Sequence, residues 1–199
     1  MAVEMSSVST RPLALPAVRL FTTADLAALP KDVPSGTVDY ELDNGRLVTI
    51  VPPGNLHGAA QTKIAAQLYL QGELNGLGKT RTEVGIVLWR NPDRVVGADV
   101  AFIAADSLPL RESSEGYLDT IPDLVVEIKS RNDTAAYVQR KVDDYLTATV
   151  RVVWVFNLDD KTVSVFRKGA PPTELHEGDM LTLEFAPGIA VSVTEAFRP

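Results

Sequence analysis

Three apolar runs in quick succession constrain this chain more than anything else in it: "TEVGIVLWR" at 82–90, "RVVGADVAFIA" at 94–104 and "PDLVVEIKS" at 122–130. Each is short and rich in β-branched residues, the pattern of a strand buried on at least one face. "NPD" turns the first into the second, and the polar stretch "ADSLPLRESSEGYLDTI" separates the second from the third. Helical patterns bracket the three. Before them, Ala60, Ile64 and Leu68 recur every fourth residue in "LHGAAQTKIAAQLYLQGEL", a helix that Gly76 and Gly78 are expected to end. After them, "NDTAAYVQRKVDDYLTA" carries the stripe Val138, Val142, Tyr145 and Leu146 behind a predicted cap at Asn132 or Asp133.

Simpler signals surround this centre. "FTTADLAALP" reads as a short helix capped by Thr22 or Thr23 and stopped by Pro30, and the two alternating runs around Asn44-Gly45 read as a hairpin. "VRVVWVFNL" and "TVSVFRKG" make a second hairpin around "DDK", and "MLTLEF" and "IAVSVTEAF" add short strands and a final turn. The order of hairpin, helix, three strands, helix and strands predicts a mixed α/β sheet rather than a doubly wound fold. At 199 residues the chain suits one domain, expected over 21–199, with residues 1–20 as a flexible arm.

Composition narrows the chemistry. The absence of cysteine excludes disulfides, thiolate metal sites and cysteine nucleophiles, and is compatible with a reducing cytoplasm. His57 and His176 are too far apart for a local zinc signature, and the glycines form no nucleotide cradle. No apolar run approaches the ~20 residues of a membrane helix, and no secretion signal is visible, so a soluble cytoplasmic protein is expected. A net charge of −7 opposes non-specific adhesion to nucleic acid or anionic membranes. A polyanionic substrate would need a locally basic face, and Lys129, Arg131, Arg140 and Lys141 are the short basic concentration beside the third strand.

That strand poses the functional question. Alternation puts Leu124, Val126 and Ile128 on one face and Val125, Glu127 and Lys129 on the other. Taken alone, E-x-K is the solvated side of an amphipathic strand. Asp99 changes the weighing, because alternation places this lone carboxylate with Val95, Gly97, Ala101 and Ile103 inside an apolar run, where an ionised acid needs a cation or a metal. A salt bridge answers that need. So does a divalent cation held by Asp99, Glu127 and the Ile128 carbonyl, an all-oxygen set of the kind Mg²⁺ or Mn²⁺ takes. Lys129, about 6.7 Å along the strand from Glu127, could then act on water or charge at the same place.

With these residues in view, the chain resembles the Uma2-like family of the PD-(D/E)xK restriction-endonuclease-like superfamily. "YELDNGRLVTIVPPGNLHGAAQTKIAAQL", "ADVAFI", "PDLVVEIKS", "QRKVDDYLTATVRVVWVFNLDDKTVSVFR" and "PGIAVSVTEAF" carry the resemblance from about Phe21 to Phe197. It implies a mixed sheet flanked by helices, with a core of helix, three strands, helix and strand and hairpins added at both ends. It implies metal acids at Asp99 and Glu127 and a lysine at Lys129. Most such sequences carry an apolar residue at the place of Lys129 and a lysine in the following helix. This chain has both, the second being Lys141, which reads either as a solvated helix lysine or as one reaching back to the sheet. Glu41 and His57 also match family positions. Glu41 reads as a third metal acid or a strand-edge glutamate, His57 as a helix cap or, less favoured, a phosphate ligand, and Glu83 as a fourth candidate acid.

The function expected from these residues is metal-dependent hydrolysis of nucleic-acid phosphodiesters, DNA ahead of RNA, with Asp99, Glu127, Lys129 and Lys141 as candidate catalytic residues and Lys129 ahead of Lys141. The alternative is a non-catalytic binding or regulatory module that keeps the fold. Self-association as a homodimer is expected from the prevalence of two-fold assemblies.

Overall fold

A computed structural model describes residues 19–198 apart from 35, 51 and 132. The expected arm therefore lies almost wholly outside the described residues, as does the candidate cap Asn132. Thr22 caps α1 (Thr23–Ala27): its hydroxyl accepts from Asp25 N, and the Asp25 carboxylate accepts the Thr22 N–H in return. The short strands β1 (Asp32–Val33) and β2 (Gly36–Thr37) pair with each other. β3 (Asp39–Asp43) and β4 (Arg46–Ile50) form the expected hairpin, with Asn44 and Gly45 at φ 51° and 77°, the left-handed values this tight turn requires.

α2 (Asn55–Leu68) runs on into a π-helical turn, Tyr69–Glu73, before Gly76 leaves the helix at φ 72°. Gly78 does not end this helix; it starts β5 (Gly78–Trp89), where a Cβ would stand 2.2 Å from the Ile103 carbonyl oxygen. β6 (Arg94–Ala104) and β7 (Leu124–Lys129) follow as read. α3 (Ala135–Thr147) is capped by Thr134, whose side chain accepts from Tyr137 N, while Asp133 turns its carboxylate to Ser130 N instead. β8 (Val152–Asn157), β9 (Thr162–Arg167), β10 (Thr173–Leu175), β11 (Met180–Thr182), β12 (Ala190–Ser192) and α4 (Val193–Phe197) complete the chain. Among the described residues no helix is long and apolar enough to cross a membrane.

The main sheet runs β10-β9-β8-β7-β6-β3-β4, with β5 also on β6. Only β7 and β8 are parallel, and α3 is the crossover that a parallel pair requires. α2 covers one face, packing Ala60, Ile64 and Leu68 on Phe102, Val126 and Trp154. α3 covers the other, packing Val142 and Tyr145 on Ala101, Val125 and Val153.

Strict alternation does not hold along β6. Val96 and Ala98 share the α3 face with Ala101 and Ile103, while Val100 and Phe102 face α2. The phase changes at Asp99, because Thr82 pairs with Val100 and Val84 with Ala98 while the Glu83–Asp99 pair between them is not made. Glu83 there has φ 50°, an uncommon conformation for a side chain of its size. A second irregularity matters more. β5 follows one edge of β6 throughout, but the other edge is shared: β3 meets it at Val95 and β7 only from Val100 onward. The sheet forks between those points.

Asp93, in the turn before β6, ties α1 to this frame by accepting from Thr23 N, Thr23 Oγ1 and Asn91 N at 2.7, 2.6 and 3.1 Å. Burial pushes its carboxyl up, but the Thr23 and Asn91 donors and Arg90 outweigh burial and hold it below 3.8. A lowered pKa contributes stability above the unfolded value, and that contribution fades as pH falls through the folded value. Asp93→Ala is expected to cost about 2–4 kcal/mol at pH 7, with the difference from wild type shrinking below pH 4. Urea unfolding at both pH values checks this; a difference independent of pH would contradict it.

Candidate active site

Side chains replace the missing strand in the fork. Glu41 of β3 accepts the Gly97 N–H at 3.0 Å, and Lys141 Nζ of α3 donates to the Gly97 carbonyl at 3.3 Å. Asp99 Oδ2 accepts the Ile128 N–H at 2.6 Å where the β6–β7 ladder has stopped. Backbone polar groups left unpaired inside a sheet are costly, so the fork selects for charged residues able to serve them.

Glu127 lies on the α3 side. Lys141 Nζ donates to its Oε2 at 2.8 Å and stands 3.6 Å from Glu41 Oε1. The Tyr145 hydroxyl donates to Glu127 Oε1. Arg94 joins the same network, 3.6 Å from Glu41, 2.8 Å from Asp144 and bonded to the Leu42 carbonyl. Burial pushes the Glu127 carboxyl up to about 7; Lys141 works against that rise and Asp99 adds to it. Burial would lower Lys141, yet Glu127 and its neighbours hold the ammonium well above the usual lysine value. Burial and Glu127 both raise Tyr145, which keeps its hydroxyl protonated as a donor.

α2 supplies the other side. His57 Nε2 is 3.3 Å from Asp99 Oδ2, and the buried Nδ1 has no hydrogen-bond partner among the described residues. Burial favours neutral imidazole, but Asp99, Glu83 and the Ile128 carbonyl together raise its pKa. Gln61, one turn later, donates to Glu83 Oε1 at 2.6 Å and to the Asp99 carbonyl at 2.9 Å.

Asp99, Glu127, Lys141, Glu41, His57 and Glu83 are thus gathered around one break in the sheet. The capping role expected of His57 is not what it does: Gly54 is the cap residue of α2, and His57 is buried against Asp99. Lys129 lines a cavity of about 10 Å³ with Glu127, Tyr137 and Lys141, but makes no ion pair among the described residues. The lysine on Glu127 is Lys141. Tyr145, Arg94 and Gln61 escaped the sequence reading. Tyr145 was visible only as stripe, although its place four residues after Lys141 puts both on one helix face; Gln61 stands in the same relation to His57.

The donor set suits a hard divalent cation in kind. Asp99 and Glu127 face register positions that would pair if β6 and β7 continued, and the Ile128 peptide lies beside both. No three His, Cys, Asp or Glu side chains among the described residues form a metal-holding group, so the third oxygen would be the Ile128 carbonyl. Glu41 and Glu127 alike have their oxygens engaged, Glu41 by Arg94, Lys141 and the Gly97 N–H, and Glu127 by Lys141 and Tyr145.

Residues 24–194 match the family described as "Uma2: Putative restriction endonuclease". A solved structure described as "a putative nuclease belonging to DUF820", from Anabaena variabilis, has a TM-score of 0.72 at 18% identity, covering 89% of this chain and 97% of that one. At that identity the likeness shows the fold, a mixed sheet flanked by helices. No curated protein matches the sequence.

Lys141 is the shared cation of Glu127 and Glu41, so its removal strands buried charge. Lys141→Met is expected to destabilise the protein by about 3–5 kcal/mol, and adding Glu127→Gln should restore more than half of the loss. Denaturant unfolding of the single and double variants decides; additive losses would contradict the coupling.

Proposed function

The chain belongs to the Uma2 family, and from that premise we propose a metal-dependent endonuclease that hydrolyses phosphodiester bonds in nucleic acid, DNA ahead of RNA. One observation carries the reading: two acids, Asp99 and Glu127, and a lysine, Lys141, converge where the sheet forks. Asp99, Glu127 and the Ile128 carbonyl would hold Mg²⁺ or Mn²⁺, which supplies positive charge opposite the phosphate oxygens and eases deprotonation of water.

In hydrolysis a water oxygen bonds to phosphorus, the bond to one ester oxygen breaks, and that oxygen takes a proton. We assign Lys141 Nζ to the negative charge that grows on phosphorus, because it is a buried cation already held beside Glu127. Lys129, which makes no ion pair among the described residues although Glu127 and Asp133 line the same cavity, is assigned to a neighbouring phosphate. Glu41 is assigned to holding Lys141. The first turns of α2 and α3 hold no acid, although Asp99 stands beside His57 and Asp133 just before the α3 cap, and the partial positive charge of these amino ends favours an anionic substrate. Local charge of this kind can operate within a chain whose net charge is −7.

A second reading, a non-catalytic module, draws on the occupation of both Glu127 oxygens by Tyr145 and Lys141 and on the smallness of the adjoining cavity. We carry the homodimer forward as well: light scattering should return twice the chain mass of 21.5 kDa, and the chain mass itself would end that part.

Cleavage of supercoiled plasmid and of single strands with Mn²⁺ separates the two functional readings. Wild type is expected to cut, Asp99→Ala, Glu127→Ala and Lys141→Ala to lose at least about 100-fold in rate, and Lys129→Ala about tenfold or less, with a weaker salt dependence of binding. A wild type that binds nucleic acid without cutting it favours the module.

A further inference from the structure

We infer that Tyr145 is a positioning residue: its buried hydroxyl fixes the carboxylate of Glu127 in the orientation that the site uses. The inference deepens the nuclease reading and takes from it the assignment of Glu127 as a cation ligand.

Glu127 is held through its carboxylate. Its two oxygens receive one donor each, Lys141 at Oε2 and Tyr145 at Oε1, and both donors come from α3. No backbone N–H reaches the carboxylate among the described residues. The two donors differ in kind. A lysine ends a flexible stem of four methylenes, and Lys141 also serves the Gly97 carbonyl and Glu41, so its ammonium has alternatives within reach. A tyrosine has two side-chain torsions. Tyr145 is fully buried and packed among Val125, Val142 and Val153, so its ring, and with it the hydroxyl, is fixed by the core.

That difference assigns the division of labour. If Lys141 turns toward the phosphate during reaction, Tyr145 is the donor that remains and keeps Glu127 from rotating. Packing alone would be met by phenylalanine, which avoids burying a hydroxyl; the hydroxyl is satisfied solely through Glu127 among the described residues. A carboxylate that binds a cation is held in this way by partners beyond the ligands, and loss of such a partner typically costs about 10–100-fold in affinity or activity.

Tyr145→Phe tests this, since it keeps the ring and the core contacts. Three measurements are made on the full chain. In the metal-free protein, ¹³C relaxation of the Glu127 side chain should show a marked loss of order. Titration with Mn²⁺ alone should show affinity lowered about tenfold. Cleavage should show kcat lowered by a similar factor with KM for nucleic acid unchanged. A Tyr145→Phe protein that melts lower but keeps wild-type order at Glu127, Mn²⁺ affinity and kcat would reduce Tyr145 to packing and overturn the inference. If wild type neither binds Mn²⁺ nor cuts, the nuclease reading falls by itself. The relaxation result then decides Tyr145 alone: loss of order at Glu127 supports its positioning role, and unchanged order overturns it.

Discussion

The buried contact between Glu127 and Lys141 is the interaction on which the rest of the molecule depends. β7 ends at the fork, α3 returns across it, and the 2.8 Å pair joins the two. Desolvating two charges costs several kcal/mol each, and only a close partner with further hydrogen bonds offsets that cost. Here the further bonds come from Tyr145 on the acid and from the Gly97 carbonyl on the lysine. Glu41 and Arg94 extend the network to the β3–β4 hairpin, which the pairing of Leu42 with Val95 also joins to the sheet.

The fork explains where the polar groups go. A continuous sheet would satisfy the β6 edge with backbone and leave no room for side-chain chemistry. Division of that edge between β3 and β7 leaves the Gly97 and Ile128 peptide groups without a strand partner there, and charged side chains from three elements, Glu41, Asp99 and Lys141, serve them. The paired irregularity at Glu83 and Asp99, with Glu83 at φ 50° and secured by Gln61, turns the strands at the same level. Non-glycine residues in that conformation cost about 1 kcal/mol or more and persist where their surroundings hold them.

Much of this was legible in the sequence. Period-four and period-two patterns gave α2, β5, β7 and α3 their places, Asn44-Gly45 gave the hairpin, and the lone acids in apolar runs pointed to Asp99 and Glu127. What failed to show was whatever depends on pairing between distant segments. Alternation along β6 misplaced Asp99 because nothing in "RVVGADVAFIA" reveals the phase change opposite Glu83. The contact of Lys141 with Glu127 did not show because separation along a strand is readable and the reach of a helix lysine is not. Tyr145 looked like core because a tyrosine in an apolar stripe does not announce an acceptor. His57 looked like a cap because its distance from Asp99 exists only after α2 has packed on the sheet.

Anomalous X-ray scattering from crystals grown with Mn²⁺ tests the central assignment most directly. The expected result is one peak about 2.1 Å from carboxylate oxygens of both Asp99 and Glu127 and from the Ile128 carbonyl, with Tyr145 still donating to Glu127. A peak away from these residues, or none there while Lys141 and Tyr145 keep both Glu127 oxygens, would contradict it.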